Sequence, residues 1–136
     1  MTHLDELLGE LCQPRTAAPV DHAAEVLAVA AESASALAEL DEFDTATLWW
    51  AAGTLSSAYA ALLPHTKDDP PGLPTVSSLL PGDADRLVEL LRATVDLLDR
   101  TARKTDDPDR LYALSRAADL TDQGRRAIAN AKAGTR

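Results

Sequence analysis

The 136-residue chain carries a formal net charge of −9, which leaves no basic footprint for phosphates and excludes nucleic acid as a partner. Ala and Leu fill over a third of it and Ile occurs once, a mixture that favours helices and starves strands of β-branched residues. The length suits one all-α domain, residues 1–136, with a core of its own.

The single cysteine, Cys12, excludes an internal disulfide, and no Cys/His pair has zinc spacing. No metal or other cofactor is expected. The opening stretch, MTHLDELLGELC, is acidic and amphipathic, unlike a secretory leader, and points to a reducing cytoplasm. The excess of Arg over Lys and of Asp over Glu is the bias of a high-GC bacterial genome.

Residues 1–13 read as a short peripheral helix or arm. Leu4, Leu7, Leu8 and Leu11 form one stripe, with Asp5, Glu6 and Glu10 on the other side. Eleven or so residues do not hold a helix alone, so Leu4, Leu8 and Leu11 are expected to pack on this bundle or on another chain. Pro14 and Pro19 mark a linker. Asp21 is placed to cap the next helix, expected to run to about Asp41. Val26, Ala30, Ser33, Leu37 and Leu40 trace its inner face, and Glu25, Glu32 and Glu39, seven apart, form an outer acidic stripe.

After Glu42 and Phe43 comes TATLWWAAGTLSSAYAALLP, Thr45 to Pro64, with no charged residue and both tryptophans. Leu48, Ala52, Leu55, Tyr59 and Leu62 step by four and three along one seam. Asp44 stands at its N-cap and Pro64 ends it. A helix without a charged face belongs in an interior, so this one is expected to be the buried centre of the bundle. Trp49 and Trp50 leave the helix about 100° apart. The plain expectation is that each packs on a different neighbour; the sharper one places one of them in a ligand pocket or an interface. Gly53, Ser57 and Ala61 make a small-residue row, read as the place where the alanine-rich preceding helix approaches. A membrane span is excluded, because the threonines, serines and alanines dilute the hydrophobicity and no second span exists.

Residues 64–82 hold five prolines and form the one long loop, which could turn back or cross the length of the bundle. Asp83 opens the next helix, to about Lys104, with the seam Ala84, Val88, Leu91, Val95, Leu98 and Ala102. Its outer acids and bases are spaced by four, as in Asp96 with Arg100. Asp107 as cap and Pro108 at the first helical position open the last helix. Its expected inner face is Leu111, Leu114, Ala117, Leu120, Gly124 and Ile128. Gly124 costs about 1 kcal/mol against Ala inside a helix, a cost that a close crossing explains. The architecture is therefore a four-helix-bundle-like domain with an additional N-terminal helix and a Pro-rich loop.

Charge is split along the chain. The first 63 residues hold ten acids and one base, Arg15, and the remainder twelve of each. Either the acidic half is a solubility face, or Glu32 and Glu39 centre a docking face for a basic partner. His3, His22 and His65 are scattered, and no Ser/His/Asp set or Gly-rich phosphate loop is present. The leading reading is a non-catalytic bundle acting in protein–protein interaction or assembly, by self-association or by docking one protein, with no enzyme activity. The alternative is a ligand-sensing bundle with an apolar pocket near Trp49, Trp50 and Tyr59. Carboxylate pairs three apart, such as Asp119 with Asp122, keep a third reading open, a metal-dependent enzyme of the all-α nucleotide pyrophosphohydrolase type.

Overall fold

The computed structural model describes residues 19–67 and 79–131. Every regular element among them is helical: α1 (Pro19–Leu37), α2 (Thr45–Leu62) with a 3₁₀ turn at Leu63–His65, α3 (Asp83–Arg103) and α4 (Pro108–Ala129). The expected N-terminal helix with Leu4, Leu8 and Leu11 lies outside the described residues, as does most of the proline-rich stretch. Among the described residues, no helix is long and apolar enough to cross a membrane.

Each helix packs on two others, so that α1 and α4 both lie between α2 and α3. The ends fix the directions. The Lys67 backbone N–H donates to the Asp21 carboxylate at 2.8 Å, which ties the far end of α2 to the start of α1. At the other end, the Asp44 N–H donates to the Ala131 carbonyl at 2.7 Å, joining the start of α2 to the end of α4. Helix α3 starts at this same end, where Ala84 and Val88 share a groove with Ile128. Thus α2 and α3 run parallel, α1 and α4 run opposite to them, and residues 66–82 join opposite ends of the bundle. One long crossover is a standard variant of the four-helix bundle.

The most buried helix is α1, not α2. Twelve of its nineteen residues are buried, and no residue from Pro19 to Ala38 is fully exposed. Its alanines let neighbours close in, and Val26, Leu27, Ala30, Ala34 and Leu37 lie in the core. Helix α1 starts two residues before Asp21, whose carboxylate holds Lys67. It also ends earlier than its apolar pattern suggests, at Leu37. Residues 38–44 turn the chain, with the Thr45 hydroxyl capping the Ala38 carbonyl at 3.0 Å and Phe43 buried.

Helix α2 buries the expected seam: Leu48, Ala52, Leu55 and Leu62 are in the core and Tyr59 is half-buried. Asp44 occupies the N-cap position, yet its carboxylate accepts from the Thr47 hydroxyl instead of a backbone N–H. The small-residue row does not meet α1. Gly53 and Ser57 face solvent, and a Cβ on Gly53 would touch nothing within 4 Å. Helix α3 is turned slightly from its heptad reading, burying Leu87, Leu90, Leu91, Thr94, Leu97 and Leu98, with Val88 and Val95 at the margin. Its first turn is tied by the Leu80 N–H donating to the Asp83 carboxylate at 2.9 Å. Helix α4 is capped as expected, with the Asp109 N–H donating to Asp107 at 3.1 Å. Leu114, Ala117, Gly124 and Ile128 are buried, but Leu111 is 41% exposed.

Gly124 marks the tightest crossing. A Cβ there would lie 2.7 Å from Leu55 Cδ2 and 2.8 Å from its Cγ, and Leu55 is wholly buried. Gly124→Ala gains about 1 kcal/mol of helix propensity but forces a methyl into a packed side chain, which costs about 1–3 kcal/mol. The single substitution is expected to destabilise. In a Leu55→Ala background, itself weakened by about 2–5 kcal/mol, the same substitution is expected to stabilise by about 1 kcal/mol. Urea denaturation of the four proteins reads this reversal. An equal effect in both backgrounds would show that Leu55 does not set the crossing.

Candidate functional site

Both tryptophans point outward. Trp49 is 62% and Trp50 54% exposed, so neither serves as the core filler expected of it. The reason is rotational. The seam Leu48, Ala51, Leu55, Ala58 and Leu62 is turned inward, and residues one and two positions after Leu48 then lie on the flank and the back of the helix. Ala46, Gly53, Ser56, Ser57 and Ala60 are exposed beside them. The outward face of α2 is therefore free of charge over its whole length, with two large indoles in its first half and only small side chains in its second.

The polar groups on this helix are partly satisfied from within. Thr54 Oγ1 donates to the Trp50 carbonyl at 2.9 Å, and Ser57 Oγ donates to the Gly53 carbonyl at 3.1 Å. Covering the face would leave neither hydroxyl proton without an acceptor. Acids gather at one end. Glu39, Asp41, Glu42 and Asp44 are all exposed in and beside the turn that leads into α2.

The remaining candidate residues are dispersed. Tyr59 is half-buried and packs against the core, while Glu32 is half-buried on α1 and Glu39 fully exposed past its end. The three glutamates expected as one outer stripe thus have unequal access to solvent. Tyr112 on α4 is 69% exposed next to Leu111, close to the opposite end of the bundle from Trp49. Sequence reasoning missed this pair, because Leu111 fits the apolar spacing of α4 and was assigned to the core.

A groove of about 400 Å³ runs between the start of α3 and the end of α4, lined by Ala84, Asp85, Val88, Glu89, Ile128 and Ala129. None of the three candidate aromatics reaches it. Among the described residues, no three His, Cys, Asp or Glu side chains converge to hold a metal ion. Asp122 is held by two arginines, Arg125 at 2.7 Å and Arg126 at 2.9 Å.

The chain matches no protein-family model, no curated protein and no solved structure.

Because both indoles are more than half exposed, replacing Trp49 and Trp50 together by Ser is expected to change stability by no more than about 1 kcal/mol. Chemical denaturation followed by far-ultraviolet circular dichroism checks this, since the variant retains no tryptophan to report by fluorescence. A loss comparable to that of Leu55→Ala would make the indoles part of the core.

Proposed function

We propose that this protein is a non-catalytic helical-bundle module whose work is protein–protein interaction or assembly, and that the outward face of α2 is its docking face. One observation carries the reading. Two large aromatic side chains stand exposed on a helix face that has no charge anywhere along it. Exposed tryptophans are enriched where proteins meet, and contiguous apolar patches on a soluble surface mark such contacts. Aromatic anchors also tend to supply most of the binding energy of an interface.

The four acids at the start of α2 give the face a charged border. Such a border steers an approaching partner and sets its orientation more than it sets affinity. Glu39 belongs to this border, whereas Glu32 is half-buried on α1 and lies outside it.

Site-directed photo-crosslinking in the native cell tests the reading. A photoreactive side chain in place of Trp49 or Ser57 is expected to capture protein adducts, and one in place of exposed Asp99 or Gln123 is not. Adducts formed equally at all four positions, or at none, would remove α2 as a docking face.

A further inference from the structure

We propose that the occupant of the α2 face is a second copy of this chain, laid antiparallel across it about a two-fold axis that passes through Gly53. This inference rests on the reading of α2 as a docking face and names its partner.

On one side of Gly53 the exposed residues are Thr45, Ala46, Trp49 and Trp50; on the other they are Ser56, Ser57 and Ala60. Reversing the helix about residue 53 sets Trp49 opposite Ser57, Trp50 opposite Ser56, and Ala46 opposite Ala60. The positions map onto one another because residues three and four apart recur on one helix face. The chemistry gives the mapping its meaning. Each bulky position meets a small one, so the indoles of one copy fill the space above the serines of the other. Gly53 meets itself where the two backbones come closest, and the space above it is open to 4 Å. A face that is its own complement under a two-fold rotation is what an isologous dimer requires.

Charge selects the same orientation. In a parallel pair, Glu39, Asp41, Glu42 and Asp44 of both copies would crowd one end, and like charges there repel. The antiparallel pair sends each acidic turn to the other end of its partner. Beside α2 that end carries Lys67 and Arg110 with Asp21, Asp107 and Asp109, so the acidic turn meets far less negative charge there than in a parallel pair. A helix face without charge of its own also lets two copies of an acidic protein meet without repulsion along the contact.

Area is sufficient. Four half-exposed indoles in the dimer would withdraw on the order of 500 Å² from water, about half of the ~1,000 Å² that a specific interface needs. The serine and alanine surfaces they cover on the opposite copy add to this. The Ser57 hydroxyl already donates to Gly53, so an indole laid over it strands no donor.

The test uses the full chain. Sedimentation equilibrium from micromolar to millimolar concentration is expected to show a monomer–dimer equilibrium, with its dissociation constant raised at least about 30-fold by Trp49→Ser with Trp50→Ser. Orientation is read by oxidation in a Cys12→Ser background. Gly53→Cys is expected to cross-link to itself. Ala46→Cys alone is not, because its two copies would stand about 21 Å apart, far beyond the reach of about 7 Å that a disulfide allows. Ala46→Cys mixed with Ala60→Cys is expected to cross-link. A monomer at every concentration would overturn the second copy as occupant and leave the docking face to a different protein. A dimer in which Ala46→Cys cross-links to itself would overturn the antiparallel arrangement. A dimer indifferent to both tryptophans would overturn this inference, and photo-crosslinking at position 49 then decides separately whether α2 docks anything.

Discussion

The contact between Leu55 and Gly124 is the constraint on which the remaining geometry turns. A leucine side chain lies against the spot where a Cβ would stand, so α2 and α4 cross here with no room for a side chain at position 124. That approach fixes the rotation of α2 about its own axis. Once Leu55 points at Gly124, Leu48, Ala51, Ala58 and Leu62 follow it inward, and Trp49, Trp50 and Gly53 are carried out to solvent. The two ends of α2 are held independently, by Asp21 on Lys67 and by Ala131 on Asp44. The helix can neither roll nor slide without breaking one of these contacts, and the exposed face inherits their rigidity.

A core that is largely Ala and Leu tolerates polar residues only if they bring their own partners. Ser33, Thr94 and Thr121 are fully buried, and each donates to the carbonyl four residues earlier: Val29 at 2.8 Å, Leu90 at 2.8 Å and Ala117 at 2.6 Å. Each hydroxyl therefore finds its acceptor without asking anything of a neighbouring helix. Packing in the interior is then decided by shape alone, by the alanines of α1 and the leucines of α2, α3 and α4. Small residues on α1 and large ones around it interdigitate in the manner of a dense core.

Much of this was legible in the chain. The helices lie near where their apolar spacing, Asp107–Pro108 and Pro64 placed them, and Gly124 was readable as a close crossing because nothing else justifies its helix cost. What could not be read was which way α2 faces. Its lack of charge suits burial and exposure at a contact alike, since spacing identifies the seam of Leu48, Leu55 and Leu62 but is silent about the opposite side. The same limit explains Leu111, whose spacing suits the core of α4 although it lies too near the helix start to be covered. The glutamates of α1 misled in the reverse direction. Glu25 and Glu32 stand at the spacing of a solvent face, but α1 is sheltered enough to leave both half-buried.

A helix without charge has two physical homes, an interior and an interface, and exposure separates them. At exposed helix positions packing decides nothing, so propensity and solubility govern the choice, and both favour Glu, Lys, Arg or Gln over Trp. On α3, and on α4 beyond the exposed Leu111 and Tyr112, that preference is obeyed, with Arg92, Asp96, Asp99, Arg116 and Asp119 on the outside. On α2 it is set aside from Ala46 to Ala60. Neither helix formation nor solubility accounts for two adjacent indoles there, and the core does not use them. On the proposed reading their use is contact with another surface, and the small residues that follow set the shape that surface must have. It must bring bulk to Ser56, Ser57 and Ala60 and offer room to Trp49 and Trp50. Helix α2 itself, reversed, does both.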